Sequence, residues 1–244
     1  MKKPFATIMQ ELKDRKQSRI ILALDKDPSR VNKEQIFKDA IRLITELNED
    51  IISIKMNMHM LLPLSEEEIS KINRIAHEYD ITSIADIKLN DIPNTNRAAI
   101  YNLVKMGFDA VIINPFIGFQ ALYETIDYAR LEGIGVITLV FMSHKGAENT
   151  YGLMVNNKRL YQIFLEWSQN LGVDGIVVGA TYPDIIARCY RSKIPIYSPG
   201  ISVQGGDPSI AVKNGVEYLI IGRKIINAEN PKEISKRLKI STYK

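Results

Sequence analysis

The feature that most constrains the fold of this sequence is a regular alternation of short apolar runs with longer amphipathic segments. The runs are rich in β-branched residues and nearly free of polar ones, as expected of strands that are covered on both faces. There are eight of them, and they begin at Arg19, Ile51, Ile81, Asp109, Ile134, Val173, Lys193 and Glu217. Eight strand–helix units within 244 residues, without a linker rich in Pro, Gly or Ser, predict one α/β domain, a (β/α)8 barrel of the TIM type that spans residues 1–244.

The segments between the runs carry helix signals. Ser65 stands three residues before Glu68, which is the pattern of a capping box, and another segment ends at Gly172, a typical helix terminator. The residues before Arg19 predict an extra N-terminal helix, which we expect to close the bottom of the barrel. An open doubly wound sheet is the alternative. It calls for a glycine-rich loop after the first strand, and the stretch LALDKDPSR contains no glycine.

The composition argues against several kinds of protein. The net charge is only +4 and is spread along the chain, so we expect no nucleic-acid surface, although a small anionic substrate would suit this balance. Cys189 is the single cysteine, which rules out an internal disulfide, and we expect its side chain to be buried on a helix. No apolar run approaches the ~18 residues of a membrane span, and the N-terminal stretch is not typical of a secretory signal. These features predict a cytoplasmic protein without a membrane partner.

The sequence shows no motif for a metal ion or an organic cofactor. The three histidines, His59, His77 and His144, have no spacing typical of metal ligands, and there is no cysteine cluster. We therefore expect a site that needs neither a metal nor a cofactor.

Charged residues stand where the first three predicted strands end. The first strand leads to Asp25, the second to Lys55, and the third to Asp86 and Lys88. In a parallel barrel the carboxyl ends of all strands meet at one rim, and active sites form there. Because Asp86 and Lys88 are two residues apart, we expect them to share one face of the strand. The sequence therefore predicts an array of alternating charges at this rim.

Two interpretations of this array are possible. Neighbouring opposite charges keep each other ionised, so the array could be a salt-bridge network at the barrel mouth. Buried ion pairs are poor stabilisers, however, because desolvation can exceed the Coulombic gain. Four such groups on one rim therefore favour catalysis.

Asp91 follows the third strand in a loop that Ile92 and Pro93 stiffen. By itself it could be an ordinary loop residue or a charge at a helix N-terminus, and Thr95 could be a capping residue. Alternatively, the loop projects away from its own barrel and carries Asp91 across a dimer interface.

The later strand ends predict a phosphate site. The stretch QGGDP contains two glycines that allow close backbone approach, and Asp207-Pro208 is typical of an N-cap followed by the first helical residue. Exposed N–H groups at such a helix start bind phosphate. Gly222 and Arg223 follow the eighth strand, and the loops after strands seven and eight are where barrel enzymes commonly hold phosphate.

Taken in order, several motifs resemble the orotidine 5′-monophosphate decarboxylase family. They are LALD at the first strand, Lys55 at the second, DIKLNDIPNT at the third, then MSHKGAE, SPGISVQGGDP and IIGRKII. The combination runs from Ile21 to Ile226 and is highly specific. The Asp-x-Lys-x-x-Asp array alone is shared with related magnesium-dependent sugar-phosphate lyases, which carry an acidic residue where this chain has Lys55.

The resemblance implies a role for each charged residue. Lys88 would protonate C6 of the pyrimidine, and Asp86 would lie beside the departing carboxylate. Lys55 would link Asp86 to the ribose, and Asp25 would contact a ribose hydroxyl. Asp91 would complete the array from the other subunit of a homodimer.

The resemblance also implies the remaining substrate contacts. From the neighbouring subunit, Ile92 would line the pocket and Thr95 would contact the ribose. Ser143 would contact the pyrimidine and Gln204, while Gln204, Gly222 and Arg223 would hold the 5′-phosphate. Met142, Pro199 and Ile201 complete the expected substrate-binding set.

The expected reaction is thus the conversion of orotidine 5′-phosphate to UMP and CO2 in pyrimidine biosynthesis, without a cofactor. Two alternatives stay open at this point: a magnesium-dependent sugar-phosphate lyase, and a phosphate-ligand binding protein without catalysis. Departures from the family pattern in INPFIG, in GISVQ and in ATYP leave Asn114 without a role and the geometry of the phosphate loop open.

Overall fold

The computed structural model describes residues 3–201 and 205–243, and its central feature is a closed barrel of eight parallel strands. In chain order the barrel strands are β1 (Ile20–Ala23), β2 (Ser53–Asn57), β3 (Thr82–Leu89), β4 (Ala110–Ile113), β5 (Gly135–Phe141), β8 (Gly175–Val178), β9 (Ile196–Ser198) and β10 (Tyr218–Ile221). Two further strands, β6 (Met154–Val155) and β7 (Lys158–Arg159), lie outside the barrel. The barrel order is β1-β10-β9-β8-β5-β4-β3-β2, and β1 pairs with both β2 and β10, which closes the sheet. The predicted architecture is confirmed.

Helices cover the outside of the barrel. They are α1 (Phe5–Lys16), α2 (Lys33–Leu47), α3 (Met58–Leu61), α4 (Glu66–Glu78), α5 (Pro93–Lys105), α6 (Phe119–Leu131), α7 (Glu148–Tyr151), α8 (Leu160–Leu171), α9 (Pro183–Tyr190), α10 (Pro208–Lys213), α11 (Arg223–Ile226) and α12 (Pro231–Thr242), with a 3₁₀ helix at Pro115–Ile117. Most barrel strands are buried along their whole length, because helices cover one face and barrel-interior side chains the other.

The extra helix α1 packs against the amino-terminal ends of the strands. Phe5, Met9 and Leu12 are buried beneath the barrel. The backbone N–H of Ala6 donates to Asp174 Oδ1 over 3.0 Å, which satisfies one of the free amides at the helix start. The helix therefore closes the barrel bottom as predicted, and the opposite rim is left for a site.

Local signals in the sequence are confirmed at several helix ends. Ser65 and Glu68 form a reciprocal capping box at α4, and Gly172 ends α8 with a φ of +60°. Asp207 caps α10 by accepting a hydrogen bond from Ile210 N over 2.9 Å. Cys189 is fully buried, and burial raises the pKa of its thiol to about 12, so it behaves as a small apolar side chain.

The long segment after β5 contains structure that the sequence analysis did not predict. It holds α7 and an antiparallel hairpin formed by β6 and β7. Asn156 and Asn157 connect the two strands with φ values of +48° and +64°, which Asn tolerates better than most residues. Each strand has only two residues, too few to produce a detectable alternation of apolar and polar positions.

Among the helices of residues 3–201 and 205–243, none combines the length and the apolar character that crossing a bilayer requires.

Candidate active site

A cavity of about 710 Å³ opens at the carboxyl ends of the barrel strands. Ten of the residues predicted from the sequence line it, and they are Asp25, Lys55, Asp86, Lys88, Met142, Ser143, Pro199, Ile201, Gly222 and Arg223. Side chains from the strand interiors, such as Ile112, Leu139 and Ile220, form its apolar floor. The cavity therefore combines an apolar base with charged groups converging from several strand ends.

Asp86 is the centre of the charge array. Its Oδ2 accepts a hydrogen bond from Lys55 Nζ over 2.8 Å, and its Oδ1 accepts one from Lys88 Nζ over 2.6 Å. Lys55 Nζ also lies 3.5 Å from Asp25 Oδ2. The predicted array therefore forms within one chain as a continuous series, Asp25–Lys55–Asp86–Lys88.

Burial and charge act in opposite directions on this array. Burial raises the pKa of Asp86, but the two ammonium groups outweigh it and lower the pKa to about 2. Burial lowers the pKa of Lys55, but attraction to Asp86 and Asp25 outweighs it and raises the pKa above its usual value. Asp86 and Lys55 therefore carry opposite full charges across the whole range in which proteins function.

The members of the array differ in their access to the cavity. The Lys55 side chain is only 4% exposed and that of Asp86 11%, whereas that of Lys88 is 37% exposed. Within the array, Lys88 is therefore the cation that a bound molecule can reach most directly. Lys55 is buried and donates its hydrogen bond to Asp86 from inside the protein.

The backbone of β3 is irregular at the array. Ala85 pairs with Val111 and Leu89 with Ile113, so β3 advances four positions while β4 advances two. This is a bulge. Within it Lys88 has a φ of +48°, in the left-handed region that residues other than glycine rarely adopt. The two side chains meet as predicted, but strand alternation alone does not account for the position of Lys88.

Asp91, Ile92 and Thr95 do not lie among the described residues that line the cavity of their own chain. All three are exposed, and Ile92 is 64% exposed at the position that precedes α5. Asp91 Oδ1 accepts a hydrogen bond from Ile92 N over 2.7 Å, and the Asn96 side chain donates to the Asp91 carbonyl over 2.8 Å. This segment is thus exposed, held by two local hydrogen bonds, and outside the lining of its own cavity.

Ser143 is held in place by the loop that follows β8. A Cβ atom on Gly179 would lie 2.5 Å from Ser143 Cα, so only glycine permits this close approach. Thr181 Oγ1 donates to the Ser143 carbonyl over 3.0 Å, and Tyr182 Oη donates to the His144 carbonyl over 3.0 Å. The ATYP stretch, which departs from the family pattern, therefore positions the Ser143 segment.

Part of the expected phosphate-binding site lies among the described residues. Gly206 N donates to the Gly200 carbonyl over 3.1 Å, and a Cβ on Gly206 would lie 2.8 Å from that oxygen, so the turn requires glycine. Arg223 is exposed at the rim and has no ion-pair partner among residues 3–201 and 205–243. Gln204 lies outside the described residues, so its expected contact stays a prediction.

Eleven lining residues were not assigned to the site from the sequence, and among them are Asp27, Pro28, Asn57, His59 and His144. Asn57 had a usable signal, because it follows Lys55 by two residues and therefore shares its strand face. The described residues contain no group of three or more His, Cys, Asp and Glu side chains that could hold a metal ion.

Comparison with known proteins agrees with this geometry. Residues 18–238 match the family described as orotidine 5′-phosphate decarboxylase / HUMPS. The chain is 32% identical to the orotidine 5′-phosphate decarboxylase of Pyrococcus horikoshii, over 82% of this chain and 90% of that one. It is 34% identical to the enzyme of the same name from Thermoplasma volcanium, over 89% of this chain and 90% of that one.

Solved structures give the same result. The crystal structure of the Pyrococcus horikoshii enzyme has a TM-score of 0.73 at 32% identity and covers 91% of this chain and 98% of that one. The enzyme from Methanocaldococcus jannaschii, crystallised with the inhibitor BMP, has a TM-score of 0.79 at 26% identity and covers 93% of this chain and 99% of that one.

Proposed function

Because the chain belongs to the orotidine 5′-phosphate decarboxylase / HUMPS family, we propose that it converts orotidine 5′-phosphate to UMP and CO2 in pyrimidine biosynthesis. The observation that carries this proposal is the contact of Asp86 with both Lys55 and Lys88 at the cavity.

The chemistry requires a fixed cation near the reacting carbon. When the bond between C6 and the carboxylate breaks, CO2 leaves and its bonding electron pair stays on C6. A cation that is already in position stabilises this charge without reorganisation, which is the largest contribution in many enzymes. The Lys88 ammonium then donates a proton to C6, which gives UMP, and the resulting amine regains a proton from water.

Asp86 serves this step in two ways. It holds the Lys88 ammonium at 2.6 Å, so the cation does not have to be oriented during the reaction. Its pKa of about 2 keeps it negative, and a substrate carboxylate beside it would be repelled. Substrate binding elsewhere, at the ribose and phosphate, would offset that repulsion.

The remaining contacts are proposed from the family resemblance, and the residues that line the cavity support most of them. Lys55 and Asp25 are proposed to face the ribose, and Met142 and Ser143 the pyrimidine. Gln204, Gly222 and Arg223 are proposed to hold the 5′-phosphate. Arg223 lines the cavity and has no ion-pair partner within residues 3–201 and 205–243, which supports this last assignment, since arginine matches phosphate oxygens in a bidentate geometry.

We further propose that the active protein is a cytoplasmic homodimer. Asp91, Ile92 and Thr95 would then reach the cavity of the partner. The exposure of Ile92, together with the position of Asp91 outside the lining of its own cavity, supports this arrangement. The four charges of the array cancel within one chain, and Asp91 from the partner would add a second carboxylate near Lys88.

The test is the loss of orotidine 5′-phosphate absorbance with the purified protein, with and without a chelator. Turnover that the chelator does not change is the expected result. Activity that the chelator abolishes would instead favour a magnesium-dependent sugar-phosphate lyase of the same superfamily. UMP binding without any turnover would indicate a binding protein and would overturn the proposal.

A further inference from the structure

The segment that carries Asp91, residues 90–92, is held in place by a buried side chain of the following helix. Asn96 lies one turn into α5 and is fully buried, and its Nδ2 donates to the Asp91 carbonyl over 2.8 Å. Within the described part of the chain, the other hydrogen bond of Asp91 is the local one from Ile92 N. The Ile92 side chain provides no cap for α5. The position of Asp91 therefore depends on Asn96.

The same amide group is anchored on a second helix. Asn96 Nδ2 also donates to Thr125 Oγ1 over 3.2 Å, and Thr125 is fully buried in α6. Thr125 Oγ1 in turn donates to the Ala121 carbonyl over 2.7 Å, which fixes this oxygen as an acceptor for the amide. A side-chain NH2 group has two hydrogens, and both are used here. Asn96 thus links the Asp91 backbone to α6.

Stability alone does not explain the choice of asparagine at this position. Asn96 Oδ1 is buried without a hydrogen-bond partner among the described residues, and an unpaired buried acceptor is unfavourable. A leucine has the same branched shape and would remove this oxygen. Thr125 would keep its bond to Ala121, and Asp91 is exposed to water. The polar side chain thus carries a penalty that an apolar one avoids, which points to a role in orientation.

We propose that Asn96 is a positioning residue that fixes the Asp91 backbone against α6, so that the Asp91 carboxylate enters the cavity of the other copy in one position. The inference rests on the proposed function, which assigns Asp91 to the site of a second copy. It adds a residue that does not line the cavity of its own chain. A misplacement of about 1 Å, caused by a change far from the reacting atoms, can lower a rate by about 100-fold.

The first test compares Asn96→Leu with the wild-type protein. The kcat for orotidine 5′-phosphate is expected to fall at least about 10-fold, because Asp91 is no longer held in one position. The Kd of UMP, which lacks the reacting carboxylate, should change less than about 3-fold. A wild-type kcat would overturn the proposal. A loss of UMP binding as large as the loss of kcat would also overturn it, since this would indicate a distorted cavity.

Asn73→Leu is the matched control. Asn73 lies in α4, is fully buried, donates to the Met106 carbonyl over 2.8 Å and has an unpaired Oδ1, so it resembles Asn96 in every one of these respects. Met106 follows the carboxyl end of α5, away from the cavity. Asn73→Leu should therefore leave kcat unchanged. An equal loss of kcat in Asn73→Leu would overturn the proposal.

A second variant separates orientation from stability. Asn96→Ala removes the same donor and also leaves a small cavity, so it should unfold at a lower urea concentration than Asn96→Leu. At a temperature where both variants are folded, they should share the same lowered kcat. If kcat followed the stability of the variants and not the loss of the donor, the proposal would be overturned.

A mixed dimer locates the effect. Lys88→Ala is co-expressed with Asn96→Leu under two different affinity tags, and the dimer with one chain of each is isolated. If Asn96 acts through Asp91, the site that retains Lys88 receives Asp91 from the chain with an intact Asn96. The mixed dimer should then show about half of the wild-type activity. If Asn96 acts within its own barrel, that site keeps the defect, and about one twentieth of the activity should remain. The second result, or failure of the two chains to assemble, would overturn the proposal.

Turnover by the wild-type protein separates this proposal from the proposed function. If the folded wild-type protein shows no turnover, decarboxylation is overturned and the role of Asn96 with it. If the wild-type protein turns over, a normal kcat in Asn96→Leu or a mixed dimer with about one twentieth of the activity would overturn the role of Asn96 alone.

Discussion

Lys88 Nζ lies 2.6 Å from Asp86 Oδ1 even though Lys88 has a φ of +48°. A left-handed conformation costs a residue other than glycine roughly 1–2 kcal/mol. Strain of this kind concentrates at sites where the surrounding structure must hold a group in one position. The contact therefore combines an unfavourable backbone conformation with a strong charge pair, which is consistent with a cation held ready for a ligand.

Replacing Lys88 by alanine tests its role as the proton donor. Lys88→Ala is expected to lower kcat by at least about 10³-fold, since both the proton and the fixed cation are lost. Binding of UMP, measured by titration, should stay detectable because the ribose and phosphate contacts remain. Lys236→Ala, on the exposed face of α12, is the matched control and should retain wild-type turnover. Substantial turnover by Lys88→Ala would contradict the proposed mechanism.

Mixed dimers test whether Asp91 acts across an interface. Lys88→Ala and Asp91→Ala are each expected to be nearly inactive. If every site combines Lys88 of one chain with Asp91 of the other, a mixed dimer contains one intact site. Random assembly should then restore about one quarter of the wild-type activity, because half of the dimers are mixed and half of their sites are intact. The measurement is turnover after co-expression with two different affinity tags. Absence of any recovery would assign Asp91 to its own chain or to no catalytic role.

The low pKa of Asp86 predicts a specific loss of stability in acid. Its folded value of about 2 lies below the value of about 3.9 expected in the unfolded chain. The ionised group therefore contributes stability above pH 4, by about 2 kcal/mol, and this contribution is lost as the pH falls from about 4 towards 2. Urea unfolding should show that Asp86→Asn is less stable than wild type at pH 7, because it leaves Lys55 buried with a weaker partner. The difference in free energy of unfolding between wild type and Asp86→Asn should narrow by about 2 kcal/mol in acid. If the two proteins lost stability in parallel as the pH falls, the low pKa of Asp86 would be contradicted.

The packing of Phe5 beneath the barrel can be tested separately from the site. A Cβ on Gly135 would lie 2.4 Å from Phe5 Cβ, so Gly135→Ala is expected to destabilise the fold by about 1–3 kcal/mol. Phe5→Ala should lower the free energy of unfolding by about 3–5 kcal/mol because Phe5 is buried. In urea unfolding, the double variant should lose at least about 1 kcal/mol less free energy of unfolding than the sum of the two single losses. The added methyl group and the removed ring compensate each other in the same space. Strict additivity would show that the two positions do not interact.

Gly135→Ala should also leave kcat/KM for orotidine 5′-phosphate unchanged in the folded protein. Gly135 begins β5 at the barrel bottom, whereas Met142 follows the end of the same strand at the cavity. A large change in kcat/KM would mean that the two ends of the barrel are coupled.

Much of the barrel follows from the sequence because its strands are buried on both faces. Runs such as the one that contains Ile20 and Ile21 are therefore almost entirely apolar, so the strands can be counted in the sequence. Asp25, Lys55 and Asp86 were found for a related reason: each interrupts the apolar pattern at a point where parallel strands must end together. The extent of one domain over residues 1–244 stays a prediction.

Other features depend on contacts between distant residues and were not predictable. The bulge in β3 exists only relative to the register of β4, and a single strand carries no sign of it. Asn57 precedes α3, a position typical of a helix cap, and only the structure shows that this cap is absent and that the residue lines the cavity. The role of Asp91 cannot be read from one chain for a different reason, because the cavity that it is proposed to reach belongs to another chain.

The two additional residues in β3 also limit where its motif can be used. A protein engineer who inserts the peptide from Ile84 to Asp91 into a barrel with an uninterrupted third strand would reproduce the chemistry of the side chains and lose the backbone path that delivers the lysine. The neighbouring strand would have to be redesigned together with it, because the position of the amine is encoded in the offset between two strands and not in one segment.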